Sequence, residues 1–180
     1  LEIIGNLPET IESVNDYLYM ANINTAIQES WYFKLNQIDR DDYNWLTDEI
    51  VTICKDRLRH VVSPDCQDSP PLIEEYIMNA SMEEQHKHID KFVDKIIPGK
   101  LFRFNARTDL ITDTTVWEFK CTSELTHDHM LQLAIYAWLW NMKHMEDTTD
   151  DNEKTFRLFN IKTGELLRME ASMGDLNNIM

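Results

Sequence analysis

The 180-residue chain is 43% hydrophobic, so it can bury one substantial core. Its formal net charge of -15 opposes the non-specific attraction to phosphates on which most nucleic-acid binding depends. Its three cysteines lie far apart, which argues against a disulfide framework and a four-cysteine iron-sulfur cluster. The lack of a signal peptide argues against secretion, and the lack of an apolar run of about 20 residues argues against membrane insertion.

The first third of the chain has apolar residues at helical spacing. The pattern covers three segments, 9–20, 24–38 and 43–61. We expect these helices to form an accessory helical region, residues 1–70, that leans on a core formed by the rest of the chain.

The core is expected to be one compact unit, residues 71–180. It is preceded by segment 63–71, whose Pro, Asp and Ser content predicts a loop. Residues 72–97 then have a pattern that predicts helix in one or two pieces.

Two segments with strict alternation follow, and both predict β-strands. In segment 101–110, one face would carry Phe102, Phe104, Ala106, Thr108 and Leu110, and the other Arg103, Asn105, Arg107 and Asp109. After the turn-prone residues 112–114, segment 116–122 alternates again and has Glu118 and Lys120 on one face. Strands joined this closely should pair antiparallel.

This pairing would bring Asp109, Glu118 and Lys120 together on one face of the sheet. Carboxylates are the hard oxygen ligands that Mg²⁺ or Mn²⁺ prefers, and the lysine adds a nearby positive charge. The arrangement is typical of a site that cleaves phosphodiesters. The plainer interpretation is a pair of amphipathic strands whose polar face meets solvent, since Glu-x-Lys is common in strands.

The segment after these strands predicts a buried helix that begins at Thr126 and ends near His144. Asp128 lies in its first turn, where the helix dipole favours negative charge, and Lys143 lies near its last turn. An acidic loop over 146–154 follows this helix.

Three polar side chains share one face of this apolar helix, because they recur at spacings of three and four. They are His129, Gln132 and Tyr136. For His129 we favour a structural role in the core.

Several of these elements together resemble the PD-(D/E)xK nuclease superfamily, in its RecB-like branch. The elements are Asp109, the tripeptide Glu118-Phe119-Lys120, and the later pair Gln132 and Tyr136. The match covers about residues 100–140, and residues 156–169 are compatible with a closing strand pair. The resemblance implies an α/β, restriction-endonuclease-like core with a small mixed sheet flanked by helices, here with an N-terminal α-helical extension.

The resemblance also implies roles for these residues. Asp109 and Glu118 would bind Mg²⁺ or Mn²⁺ and would act in catalysis together with Lys120. Gln132 and Tyr136 would lie near the active site and contact the nucleic-acid strand. The alternative for the last two is a core amide and phenol with satisfied hydrogen bonds.

Members of the family usually carry a further ligand, a histidine or an acid, on the helix before the first strand. His86, which begins an H-x-x-x-D pattern, is the first candidate for this metal ligand, and Glu84 and His88 compete with it. A charged cluster on a helix is more often a solvated face. The chain departs from the family here, since no glycine-led segment precedes His86, and Thr108 stands in place of the proline in the family name.

Arg107 is a further candidate for substrate binding. Lys100, Arg103 and Lys120 lie near it in sequence, so a local positive track could exist on an acidic protein.

The sequence therefore predicts a divalent-metal-dependent nuclease with a nucleic acid as its partner, DNA in preference to RNA. We expect it in the cytoplasm or nucleus of a host cell, without membrane attachment, as part of a larger viral or recombination polypeptide. Two alternatives stay open. One is a viral cap-snatching-type RNA endonuclease, and the other is a catalytically silent nucleic-acid-binding or scaffold domain.

Overall fold

The computed structural model has a mixed α/β fold. It describes residues 7, 10–28, 30–66, 70–78, 87–100, 104–145 and 154–180. The α-helices are α1 (Val14–Gln28), α2 (Tyr32–Leu35), α3 (Asp48–Val62), α4 (Lys87–Ile96), α5 (His127–Lys143) and α6 (Met173–Ile179). The strands are β1 (Leu72–Ile73), β2 (Tyr76–Met78), β3 (Ala106–Arg107), β4 (Leu110–Ile111), β5 (Thr115–Lys120), β6 (Thr155–Asn160) and β7 (Leu166–Arg168). Within these ranges, no helix is long and apolar enough to cross a membrane.

The chain divides into two compact units, residues 1–55 and 56–180, with the boundary inside α3. In the first unit, α1 begins at a capping box. Asp16 Oδ2 accepts hydrogen bonds from the backbone N–H of Ser13 at 3.1 Å and from its hydroxyl at 2.8 Å, and the backbone N–H of Asp16 donates to Ser13 Oγ. The Ser13 hydroxyl, with help from the Arg40 guanidinium, lowers the pKa of Asp16 to about 2.

The N-terminal helices differ from the expected segments. α1 continues through the expected break between residues 20 and 24 and ends at Gln28. Ser30 then adopts a φ of 58°, a left-handed conformation that a right-handed helix cannot continue through. The expected helix 24–38 is therefore wrong as one element, and α2 covers only four of its residues.

The sheet of the second unit has five strands in the order β1-β4-β5-β6-β7. β5 and β6 pair in parallel, and the other neighbours pair antiparallel. β5 is buried on both faces, because Val116 packs in a cluster with α5 and Trp117 packs in a second cluster with Leu58 and Val62 of α3. Helices therefore cover both faces of the central strand, as expected for an α/β fold.

α5 is confirmed as the predicted buried helix, and Trp138 and Leu139 on it are almost fully buried. His129 has a structural role at the start of this helix, where its Nδ1 accepts a 3.1 Å hydrogen bond from the backbone N–H of Thr126. The predicted strand pair at 156–169 is confirmed as β6 and β7, which close the sheet.

The expectation of helix throughout residues 72–97 is wrong for its first part. Residues 72–78 form β1 and β2, and helix begins at Lys87 as α4. Residues 72–78 form strands because pairing with β4 and β3 satisfies their backbone groups and buries Ile77 and Met78.

The segment predicted as one strand over 101–110 contains two short strands that belong to different sheets. Antiparallel contact continues between them, since Glu74 N–H donates to the carbonyl of Asp109 and Thr108 N–H donates to the carbonyl of Glu75. The segment that pairs with them, residues 72–78, bends at Glu74, whose φ is 53°. The bend divides the ribbon, and Asp109 lies directly beside it.

Candidate metal centre

Asp109 and Glu118 lie opposite each other across the β4–β5 pair. The register matches Leu110 with Trp117, so the next residues outward are Asp109 and Glu118. Asp109 is half-buried, and its Oδ2 accepts a 2.7 Å hydrogen bond from the backbone N–H of Phe119. This bond holds the Asp109 carboxylate against β5, and the predicted antiparallel pairing is confirmed.

Glu118 is buried, with 3% of its surface exposed. Its Oε1 accepts a 2.5 Å hydrogen bond from Lys120 Nζ, whereas its buried Oε2 has no hydrogen-bond partner among the described residues. Burial raises the pKa of Glu118, the hydrogen bond from Lys120 opposes this rise, and the charge of Asp109 adds to it. An unsatisfied buried acceptor costs about 1–3 kcal/mol, so this oxygen favours a proton or a cation.

Lys120 begins a chain of hydrogen bonds that runs into α5. Its Nζ donates to Gln132 Oε1 at 2.8 Å, Gln132 Nε2 donates to the hydroxyl of Tyr136 at 2.9 Å, and that hydroxyl donates to the carbonyl of Arg107 at 2.8 Å. An ammonium can only donate, so the Gln132 oxygen must face Lys120 and its amide nitrogen must face Tyr136. Burial raises the pKa of Tyr136, the hydrogen bond from Gln132 opposes this rise, and the charge of Glu118 adds to it.

Comparisons of the chain with protein-family models, with curated proteins and with solved structures found no match. The chemistry of this site therefore rests on its own geometry. In the described ranges, no three His, Cys, Asp or Glu side chains are grouped so that they could hold a metal ion. The candidate ligands His86 and Glu84 lie outside those ranges, and His88 is half-buried on α4.

Arg107 contributes its backbone to the site. Its carbonyl ends the hydrogen-bond chain, while its guanidinium lies 3.6 Å from the Glu74 carboxylate and 5.9 Å from the centre of the Tyr76 ring. Of the other residues of the expected positive track, Lys100 is exposed after α4 and Arg103 lies outside the described residues.

The side chains that are brought together fit a divalent cation. Asp109 and Glu118 carry two formal negative charges against the one positive charge of Lys120, and Oε2 of Glu118 is an acceptor without a donor in the described part of the chain. Hard carboxylate oxygens with excess negative charge are what Mg²⁺ and Mn²⁺ bind. The interpretation of this strand face as merely solvated is wrong for Glu118, because that side chain is buried.

A cleft of about 400 Å³ beside Gln132 and Tyr136 was not anticipated from the sequence. Phe104, Asn105 and Asp128 also line it. The sequence pattern assigns Asp128 only to the helix dipole. The sequence signal for its place in the cleft is its spacing of four residues from Gln132, which puts both side chains on one helix face.

Proposed function

We propose that this chain is a divalent-metal-dependent nuclease that hydrolyses phosphodiester bonds of DNA. The observation that carries the proposal is the buried Glu118 carboxylate, which Lys120 holds by one oxygen while the other has no donor among the described residues. Asp109 faces it across the strand pair. Such a site combines ligands for a cation with a fixed ammonium, and both can assist phosphodiester hydrolysis.

The fold supports the same proposal. We propose that the mixed sheet, covered by α5 on one face and by the end of α3 on the other, is the restriction-endonuclease-like core that the sequence resemblance implies. The residues of the resemblance come from separate elements, β5 and α5, yet Lys120, Gln132 and Tyr136 form one hydrogen-bonded group. A chance Glu-x-Lys on a solvent-facing strand would not be buried and bonded in this way.

In the proposed mechanism, Asp109 and Glu118 would hold the cation, which would supply Lewis acidity toward a phosphoryl oxygen. Lys120 places a positive charge beside them and stabilises the negative charge that develops as the water oxygen bonds to phosphorus and the P–O bond to the leaving oxygen breaks. The attacking water loses a proton to solvent, and the leaving oxygen takes up a proton from solvent. Gln132 fixes the ammonium of Lys120, and Tyr136 fixes Gln132. The donors are therefore in position before the reaction, and little reorganisation is needed.

Cleavage of defined substrates tests the proposal. The purified chain should cut labelled DNA in Mn²⁺ or Mg²⁺ and should not cut it in EDTA, and it should cut capped RNA more slowly. Faster cleavage of capped RNA would support the RNA endonuclease alternative instead. Failure to cut any substrate, together with failure to bind Mn²⁺, would identify a catalytically silent domain.

A further inference from the structure

The cleft beside the candidate metal centre is lined by apolar, aromatic and polar side chains. Gln132 and Tyr136 belong to both the cleft and the hydrogen-bond chain from Lys120, so the cleft lies beside the proposed site. Its volume of about 400 Å³ lies within the range of about 300–1,000 Å³ that is usual for ligand sites. This volume can hold a flat ring but is too small for a folded partner.

The chemistry of the cleft favours a nucleobase over a phosphate. Its walls are mainly apolar, and the half-buried residues Phe104 and Ile135 are among those that line it. None of the described residues that line it is Lys or Arg, and the Asp128 carboxylate would repel a phosphate. Aromatic and apolar walls instead suit the faces of a base.

The polar side chains define which edge of a base would fit. Asp128 and Asn105 line the cleft and are both exposed, so they are open to a ligand. An ionised carboxylate only accepts hydrogen bonds. Guanine presents two neighbouring donors, N1–H and the 2-amino group, on its Watson–Crick edge, and a carboxylate can accept both at once.

We propose that this cleft receives an unpaired guanine of the substrate strand, with Asp128 accepting from its Watson–Crick edge. The inference rests on the proposed function and deepens it. That edge is available only when the base is not paired, so the preferred substrate is single-stranded at this point. Asp128 and Asn105 then determine specificity, whereas Asp109, Glu118 and Lys120 act on the phosphodiester.

Fluorescence anisotropy in Ca²⁺ tests this assignment without turnover. The probes are a labelled oligothymidylate, the same strand with one central guanine, and that guanine strand annealed to its complement. The wild-type chain should bind the guanine strand at least about fivefold more tightly than the all-thymine strand, and more tightly than the duplex, as expected for loss of a two-point hydrogen bond to a base. Asp128→Asn should reduce the guanine preference to less than about twofold.

Asp48→Asn is the matched control, because Asp48 is also an exposed acid in the first turn of a helix. It should keep the guanine preference. Equal binding of both single strands by the wild type, binding of neither, or an unchanged preference in Asp128→Asn would overturn the inference. A chain that prefers guanine but cuts nothing would contradict the proposed function alone, and one that cuts DNA without the preference would contradict this inference alone.

Discussion

At the residue scale, Lys120 is held by acceptors from two different elements, Glu118 on its own strand and Gln132 on α5. Because the ammonium is proposed to act on developing charge, Lys120→Ala should lower the cleavage rate by at least about a hundredfold. Substrate affinity in Ca²⁺ should change far less. Lys120→Arg should also be impaired, since a planar guanidinium does not replace a compact ammonium.

Single-turnover cleavage rates measure this effect, and circular dichroism verifies that each variant is folded. Lys95→Ala is the control, because Lys95 is an exposed lysine on α4 and should not affect the rate. A folded Lys120→Ala protein with full cleavage activity would remove Lys120 from the mechanism.

Glu118 gives a prediction on pH. Its pKa is raised above the ordinary value of 4.5, chiefly by burial, so the folded state binds the Glu118 proton more tightly than the unfolded state does. This stabilising contribution is present below that value and is lost as pH rises through the folded-state pKa. The glutamine of the Glu118→Gln variant cannot ionise. In EDTA, the free energy of unfolding of this variant should therefore rise relative to that of the wild type as pH increases above the ordinary glutamate pKa of 4.5.

Urea unfolding in EDTA across this pH range measures the difference between the two proteins. The exposed residue Glu124 supplies a control, since Glu124→Gln should show no such trend relative to the wild type. If the difference in free energy of unfolding between Glu118→Gln and the wild type stays constant with pH, burial does not raise the pKa of the Glu118 carboxyl.

At the scale of elements, the hydroxyl of Tyr136 joins α5 to the backbone of β3. It accepts from Gln132 and donates to the carbonyl of Arg107. Tyr136→Phe leaves both groups unsatisfied, so it should lower the free energy of unfolding by about 1–3 kcal/mol. Tyr17 on α1 is 63% exposed, and Tyr17→Phe should change stability by less than about 0.5 kcal/mol. Equal urea-unfolding curves for the two variants would show that the hydroxyl of Tyr136 does not link the elements.

The elements that the sequence predicts well are those with strong periodicity. β5 has alternating side chains, and α5 has an apolar coat between Thr126 and Lys143. Both patterns are local, so they can be read without tertiary contacts. The convergence of Asp109, Glu118 and Lys120 followed from one antiparallel pairing.

The elements that were predicted wrongly depend on distant partners. Residues 72–78 have a local pattern compatible with helix, but they pair with residues 106–111, about 30 to 40 positions away. The left-handed conformations of Ser30 and Glu74 are also set by their surroundings, since neither is a residue type that favours positive φ. The partners of Gln132 and the cleft beside it likewise required the packing of α5 on the sheet.

At the scale of the whole molecule, the net charge of -15 is the main electrostatic obstacle to binding DNA. A divalent cation between Asp109 and Glu118 would neutralise the two carboxylates of the site. It would thereby remove their repulsion of the DNA phosphate that binds there. We therefore expect DNA affinity in Ca²⁺ to exceed that in EDTA by at least about tenfold at the same ionic strength. Fluorescence anisotropy with a labelled single strand measures both affinities. Equal values would indicate that DNA binds away from the two carboxylates.

The most direct test of the central claim is the rate of Mn²⁺-dependent cleavage of single-stranded DNA by the wild type, Asp109→Ala and Asp113→Ala. Asp113 is an exposed acid in the turn between β4 and β5, only four positions from Asp109. Wild type and Asp113→Ala should cut at similar rates, whereas Asp109→Ala should lose cleavage by at least about a hundredfold. Cleavage by Asp109→Ala at the wild-type rate, or no cleavage by the wild type, would contradict the assignment of this site as a nuclease centre.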